Sequence, residues 1–277
     1  MTSAVKIRKT EDILSYCILF LALVWSIFPI YWIASMSLKM RVDIFRMPPA
    51  WIFTPILDNY AEVFLHSDFP KYFLNSFIIA ISATALSLLG GVPAGYGLAR
   101  LNLRRERDVS FYVLSTRMAP GVAFLIPFFL MIISAGLYDT YLAVILMHLV
   151  ILLPLVIWLM RGFIEDAPRD VEEAAMVDGC SRLGAFMRTT LLMVLPGLAS
   201  ASVFAFLFSW NELMFGLTLT GINAKTAPAA VYNWVGHTEV NWGPLCATGL
   251  IQLVPGLIFF VFVQKYLARG LTAGILK

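Results

Sequence analysis

The pattern of apolar and polar residues divides the chain into six long apolar stretches that are joined by shorter polar connections. A helix needs roughly 20 apolar residues to cross the hydrocarbon core of a membrane, and every stretch is long enough. The chain is therefore predicted to be an all-α, polytopic membrane protein with a single transmembrane domain over residues 1–277. The six predicted spans cover residues 13–38, 72–98, 110–134, 141–161, 191–218 and 246–267.

Basic residues are distributed unequally between the two sets of connections. Fourteen Lys and Arg lie in the set that holds both termini and the 162–190 loop, and five lie in the opposite set. Because basic residues are retained on the cytoplasmic side, both termini and this loop are predicted to be cytoplasmic. The first stretch follows a basic segment but is too long for a signal peptide, and it lacks a small-residue cleavage site, so a retained span is expected.

Composition supports a membrane class and excludes others. Hydrophobic residues make up 60% of the 277 residues and charged residues only 13%, against roughly a quarter charged in soluble domains. The net charge of +3 gives no indication of nucleic-acid binding. The three cysteines are scattered without metal-ligand spacing, so neither a metal site nor a catalytic centre is predicted.

The connection at 162–190 carries helix signals although it lies between two apolar stretches. Pro168 suits a first helical turn, Gly179 suits a left-handed C-terminal cap, and Ser181 is positioned to cap a second helix. Two interpretations fit the helix between them: a docking surface for a partner, or a surface helix that packs on the protein's own cytoplasmic ends. Val171, Ala174, Ala175 and Asp178 share one face of this helix at helical spacing, and three of the four are small or apolar.

The pattern Glu173-Ala174-Ala175-x-x-x-Gly179 resembles the EAA motif of permease subunits of ATP-binding-cassette importers. One departure from the family is Leu192, where a proline is usual, which leaves the joint with the fifth span undetermined; Pro196 matches a second common proline. The wider chain is similar to the maltose-permease-like second subunit of the carbohydrate branch, through Asn59-Tyr60, Asn75-Ser76, Ser209-Trp210-Asn211-Glu212 and Gly270-Leu271-Thr272-Ala273-Gly274.

The resemblance implies that the loop is a coupling helix seated in a cleft of a cytoplasmic ATPase. Glu173 would be the polar anchor, Ala174 and Ala175 the close-packed face, and Gly179 the turn, with Asp178 on the same surface. The tail with Gly270, Thr272 and Gly274 would also contact the ATPase.

The chain lacks the GxxxxGK[ST] phosphate loop, so no cofactor is expected in it, and ATP and Mg would lie on the ATPase subunits. The implied partners are a homologous permease subunit, two ATPase copies, membrane lipid, and an extracytoplasmic substrate-binding protein docked on the 39–71 and 219–245 loops. The implied location is the cell inner membrane.

Polar residues inside the predicted spans are candidates for lining a translocation path, because polar groups in a membrane usually face a bundle interior or a water-filled cavity. Amides, carboxylates and an aromatic face provide the contacts that sugars need. The competing interpretation is hydrogen bonding between helices, worth on the order of 0.6 kcal/mol per pair. The candidates are Asn75, Ser76, Arg117, Trp210, Asn211, Glu212 and Gln252.

Arg117 is the unusual member, since it lies about seven residues, or roughly 10 Å, inside the third predicted span. Its side chain either extends back to the cytoplasmic interface or faces the cavity, where it would favour an anionic substrate.

The leading hypothesis is a permease subunit of an ATP-driven, binding-protein-dependent importer for a sugar, oligosaccharide or polyol. An importer for a non-carbohydrate or anionic solute is an alternative within the same class. An ion-coupled secondary transporter predicts internal repeats and buried carboxylate pairs, but only Glu212 lies well inside a predicted span. A membrane-embedded enzyme predicts a catalytic cluster, and the sequence shows none.

Overall fold

The computed structural model describes residues 2–118, 120–236 and 238–273, and it is helical throughout. A single isolated β-bridge between Val235 and Val240 is the extent of strand-like pairing in these ranges. A π-helix at Phe186–Thr190 and a 3₁₀ turn at Tyr232–Trp234 interrupt the α-helices. The α-helices are α1 (Thr2–Ser37), α2 (Arg41–Ile44), α3 (Asp58–Leu65), α4 (Phe69–Arg100), α5 (Glu106–Ser115), α6 (Gly121–Ser134), α7 (Tyr141–Asp166), α8 (Arg169–Val177), α9 (Arg182–Ala185), α10 (Leu191–Met193), α11 (Leu195–Trp210), α12 (Met214–Leu219), α13 (Ala227–Val231) and α14 (Trp242–Ala273).

The all-α membrane architecture predicted from the sequence is confirmed. Within the described residues, four helical segments are long and apolar enough to cross a membrane: Ser15–Ser37, Phe69–Arg100, Tyr141–Asp166 and Trp242–Val261. A bent pair, Arg182–Met193 and Leu195–Trp210, makes a fifth if it is counted as one span. The four segments correspond, in that order, to the first, second, fourth and sixth predicted spans, and the bent pair corresponds to the fifth.

The third predicted span differs from the structure, because two helices replace the continuous helix expected at 110–134. Helix α5 ends at Ser115, a turn follows, and α6 begins at Gly121 after Pro120 in an extended conformation. The 14 residues of α6 give a helix of about 21 Å, which is shorter than the roughly 30 Å hydrocarbon core. The break results from Pro120, which has no backbone N–H to donate.

The fifth predicted span, 191–218, is also shorter and bent. The axes of the two helical segments on either side of Val194 differ by 78°. Pro196 lies in the first turn of α11, where its missing N–H costs no hydrogen bond. The joint that Leu192 left undetermined is thus a π-helix followed by a bend at Val194, and α11 ends at Trp210.

The first of two compact units comprises Met1–Phe69 and Asn233–Ile251. Asn59 organises its polar contacts, because its amide Nδ2 donates to the carbonyl oxygens of Ser37 at 2.9 Å and Lys39 at 3.0 Å. A Cβ at Gly243 would come within 2.3 Å of the Asn59 Oδ1 atom, so a larger residue there would displace this amide. The Asn59-Tyr60 pair quoted from the sequence therefore has a structural role.

The second unit comprises Pro70–Tyr232 and Gln252–Lys277. Its core brings α4 and α7 into close contact at two glycines of α4, where the missing side chain lets the two helices approach. A Cβ on Gly91 would approach the Val156 Cγ1 atom to 2.6 Å, and one on Gly95 would lie 3.0 Å from the Arg161 backbone nitrogen. The 162–190 connection, which carries the candidate coupling residues, follows α7 directly and contacts the end of α4 through Arg100.

Candidate functional site

The 162–190 connection folds as the capping signals predicted. Helix α8 starts immediately after Pro168 and ends at Val177, and Gly179 takes the left-handed conformation with φ +92°. The Ser181 side chain caps α9 by accepting a hydrogen bond from the Gly184 backbone N–H at 3.1 Å. The loop therefore consists of two short helices, α8 and α9, joined by a turn at Gly179.

A buried carboxylate fastens this loop to the membrane bundle. Glu172 on α8 is 5% exposed and accepts hydrogen bonds from Tyr96 Oη, from Arg100 Nε at 3.2 Å and from Thr190 Oγ1 at 2.9 Å. Arg100 Nη2 also donates to the Ala167 carbonyl oxygen at 2.7 Å. These contacts tie α8 to the end of α4 and to the π-helix.

The sequence alone does not reveal this role, because an acidic residue such as Glu172 is favourable in a first helical turn without any tertiary partner. A usable signal was present in Arg100, a cation in the last turn of a long apolar helix, which needs a counter-charge if it is buried. The identity of the partner depends on the tertiary contact between α4 and α8, and no local pattern encodes that contact.

The residues of the predicted coupling motif lie on the outer side of the same helix. Glu173, Ala174, Asp178 and Gly179 are exposed, and Ala175 is half-buried. Two large apolar side chains extend this surface, since Val177 is 87% exposed and Leu183 is 70% exposed. We call these residues the coupling surface: Glu173, Ala174, Ala175, Val177, Asp178, Gly179 and Leu183.

Asn75 and Ser76 are both buried, and their polar atoms are engaged within the chain. Asn75 Nδ2 donates to the carbonyl oxygens of Asn223 at 2.8 Å and Lys225 at 3.0 Å, and its Oδ1 accepts from the Tyr141 hydroxyl at 2.7 Å. Ser76 Oγ accepts from the Ala227 backbone N–H at 2.7 Å. In this conformation both residues hold the segment around 223–227.

Trp210 is 1% exposed and forms part of an aromatic cluster. Its ring packs against Phe77 with centroids 4.9 Å apart and against Phe206 at 5.8 Å. Its Nε1 donates to the Gln252 carbonyl oxygen at 3.0 Å. The ring face is thus covered by protein, whereas the Gln252 residue is only half-buried.

Asn211 and Glu212 lie in the break between α11 and α12. Asn211 is exposed, and its amide donates to the Leu207 carbonyl oxygen at 2.9 Å. The Glu212 carboxylate caps α12 by accepting from the Phe215 backbone N–H at 3.0 Å. Its Oε2 also lies 3.4 Å from Nε2 of the buried His148, whose Nδ1 is 2.6 Å from Ser209 Oγ.

Arg117 lies in the turn between α5 and α6, so it is not inside a continuous third span. Its side chain is half-buried, and its guanidinium carbon lies 5.4 Å from the ring centroid of Phe208. The structure thus supplies a cation–π partner that the sequence did not indicate.

A second carboxylate that joins distant parts of the chain is the half-buried Asp139 in the 135–140 connection, and the sequence did not predict its role. The Asp139 carboxylate accepts backbone N–H bonds from Gly221 at 2.8 Å and from Ala224 at 3.0 Å, together with others from Ile222 and Asn223. Burial raises the pKa of Asp139, but these hydrogen bonds outweigh it and lower the pKa to about 2. Asp139 therefore holds the segment after α12 as an anion.

The C-terminal candidates fall partly outside the described residues. Gly270 and Thr272 lie in the final turns of α14, which is described to Ala273. Gly274 lies outside the described residues, so its predicted ATPase contact stays a prediction.

The family model for binding-protein-dependent transport system inner membrane components matches residues 91–273, which include the coupling surface. The chain belongs to this family. The predicted membership in the permease subunits of such transport systems is confirmed, and the matching relatives are permease proteins rather than ATPases.

Three relatives illustrate the similarity. The sulfoquinovosyl glycerol transport system permease protein SmoH of Agrobacterium fabrum is 34% identical, with 92% of this chain and 90% of the relative covered. The diacetylchitobiose uptake system permease protein DasC of Streptomyces coelicolor is 32% identical, covering 94% of each chain. The trehalose transport system permease protein SugB of Mycobacterium tuberculosis is 31% identical over 91% of this chain and 93% of its own.

The fold is shared with solved transporters. A chain of a bacterial ABC transporter involved in the import of the acidic polysaccharide alginate superposes with a TM-score of 0.78 at 21% identity, covering 93% of this chain and 96% of the other. A chain of the MetNI methionine ABC transporter in an inward-facing conformation gives 0.61 at 16% identity, covering 72% and 94%. At these identities the likeness concerns the fold alone.

Proposed function

We propose that this chain is the permease subunit of an ATP-driven importer for a sugar, oligosaccharide or polyol, acting as one transmembrane domain. The observation that carries the proposal is the coupling surface. It exposes small and apolar side chains on a preformed helix, and that helix is fastened to the bundle through the buried Glu172. Because Glu172 bonds to Tyr96 and Arg100 of α4, a movement of the coupling surface would be passed on to α4.

The basic residues support an orientation with both termini and the coupling surface in the cytoplasm. Two ATPase subunits, one on this chain and one on a homologous permease, would each receive a coupling helix in a surface cleft. Ala174 and Ala175 let the cleft approach closely, Glu173 supplies a charged anchor, and Asp178 and Gly179 border the turn. Gly270, Thr272 and Gly274 would add a second contact with the ATPase.

ATP and Mg would act on the ATPase subunits, and this chain would convert ATPase closure into movement of α4, α7 and α11. On the opposite side, the connections at 39–71 and 219–245 would receive a substrate-binding protein. Asp139 and Asn75 hold the chain at 221–225, which would give the second of these connections a defined shape for docking.

The carbohydrate class rests on the relatives, whose names specify trehalose, diacetylchitobiose and sulfoquinovosyl glycerol. Of the intramembrane candidates, Asn211 and Gln252 retain accessible side chains, whereas Trp210 and Asn75 are covered by protein in this conformation. We therefore favour Asn211 and Gln252 over the buried pair for contact with substrate hydroxyls.

Affinity purification of the tagged chain from its native membrane tests the ATPase partnership. We expect an ATP-binding-cassette ATPase to co-purify with the wild type and to be lost with Glu173→Arg, since the reversed charge lies on the exposed coupling surface. Asp58→Arg is the matched control, because it reverses an equally exposed charge in the first turn of α3, in a connection assigned to the other side.

Two results would overturn the proposal. If the ATPase still co-purifies with the Glu173→Arg variant, the coupling surface is not its binding site. Failure of the wild type to bring down any ATPase, with uptake that collapses when the ion gradient is dissipated, would favour an ion-coupled transporter.

A further inference from the structure

A cavity of about 750 Å³ opens beside α5, and its residues have no part in the function proposed above. Its walls come from the chain between α4 and α5, from α5 itself and from the last third of α7. Because α4 ends at Arg100 and α7 ends at Asp166, the cavity lies where two membrane-spanning helices reach one surface of the bilayer.

One wall of the cavity is strongly basic. Arg104, Arg105 and Arg107 are exposed and line it, and none of them forms an ion pair within the part of the chain that the structure describes. Arg161 is already neutralised, since its guanidinium donates to Glu106 at 2.7 Å and to Glu165 at 2.7 Å. The cavity thus presents three uncompensated guanidinium groups against a single remaining carboxylate, Asp108.

The other wall is apolar and open. Phe111, Leu114 and Trp158 line the same cavity, with Phe111 67% exposed and Trp158 46% exposed. A Trp at the level where a spanning helix leaves the hydrocarbon suits the interface between acyl chains and headgroups. A free anion would need the arginines alone, whereas a ligand that also covers these three side chains must carry hydrocarbon next to its negative charge.

We propose that this cavity binds the phosphate headgroup of an anionic phospholipid, with its acyl chains along Phe111, Leu114 and Trp158. The three arginines present fifteen N–H donors near the membrane surface, and basic residues so placed attract anionic headgroups. Guanidinium groups pair with phosphate oxygens in a two-pronged geometry, which favours phosphate over other anions. The site rests on the membrane location of the chain and does not depend on its transport activity.

The test uses the full chain reconstituted in phosphatidylcholine vesicles that contain a minor share of phosphatidylglycerol. Bromine atoms are placed on the acyl chains of one lipid at a time, and quenching of Trp158 is obtained as the difference between wild type and Trp158→Phe. We expect brominated phosphatidylglycerol to quench Trp158 several-fold more strongly than brominated phosphatidylcholine at the same mole fraction. Equal quenching by the two lipids would overturn the proposal.

Two variants separate charge from fold. Replacing Arg104, Arg105 and Arg107 with Gln is expected to abolish the preference, so that the two brominated lipids quench Trp158 equally, because basic residues near the surface supply the affinity for anionic lipid. The Lys triple variant keeps the charge and is the matched control, expected to retain most of the preference. Added inorganic phosphate, compared with chloride at equal ionic strength, should leave the wild-type preference unchanged; displacement by phosphate alone would assign the site to a free anion and refute the lipid.

Discussion

Replacing Glu172 with Ala removes the group that fastens the coupling helix to the bundle. The carboxylate and its partner Arg100 are 7% and 5% exposed at the side chain, so the substitution leaves a buried cation without its counter-charge. It also removes the acceptor for the Tyr96 and Thr190 hydroxyls. Breaking one partner of a buried pair costs about 3–5 kcal/mol, far more than a surface ion pair contributes.

Thermal unfolding of the purified chain measures this cost. At roughly 2–4 °C per kcal/mol for a chain of this size class, Glu172→Ala is expected to lower Tm by on the order of 10 °C. Glu173→Ala is the matched control, because the neighbouring carboxylate is exposed and its removal should change stability by no more than about 0.5 kcal/mol.

A double variant isolates the ion pair from the rest of the network. Arg100→Met combined with Glu172→Ala should recover part of the lost stability, since the buried cation is removed along with its partner. A fall in Tm of less than about 2 °C for Glu172→Ala, or a double variant as unstable as the sum of the two single variants, would refute the reasoning.

Three further substitutions test other parts of the structure. Gly95→Val is expected to cost about 1–3 kcal/mol, because its side chain would meet backbone atoms of α7, whereas Gly162→Ala in α7 meets nothing within 4 Å and should be tolerated in the same melting assay. Asp139→Ala should speed amide hydrogen exchange at 221–224, and exchange that is unchanged at neutral pH would contradict the role of Asp139. Since the pKa of Asp139 is lowered from 3.8 to about 2 in the folded chain, its stabilisation is complete above pH 3.8 and is lost as the pH falls toward 2. Arg117→Gln should lower the free energy of unfolding by about 0.5–1 kcal/mol, because the cation–π contact with Phe208 is lost. If the same variant takes up an acidic sugar as well as the wild type does, Arg117 is not a substrate ligand.

The features that the sequence predicted well are those encoded by local pattern. The apolar stretches located the spanning helices, and Pro168, Gly179 and Ser181 located the ends of α8 and α9, because caps depend on one or two neighbouring residues. The resemblance of the Glu173–Gly179 motif led to the family that the comparisons established.

The features that the sequence did not predict depend on tertiary contacts or on where a helix ends inside an apolar stretch. The third apolar stretch is long enough to span a membrane if it is taken as one helix, so its length did not reveal that α5 ends at Ser115 and that a separate helix, α6, begins at Gly121. Glu172 and Asp139 resemble ordinary polar residues until the fold places Arg100 and four backbone N–H groups around them. Trp210 has the chemistry of a sugar platform, but packing against Phe77 and Phe206 occupies its faces.

The central claim is that energy enters this permease through the coupling surface from a separate ATPase. The most direct measurement is uptake of a labelled oligosaccharide into proteoliposomes that contain this chain, its partner permease and the ATPase, with the binding protein added. We predict that uptake requires ATP and is lost with Glu173→Arg, while the Tm of that variant stays at the wild-type value. Uptake that continues in the Glu173→Arg variant, or that an ion gradient drives without ATP, would contradict the account.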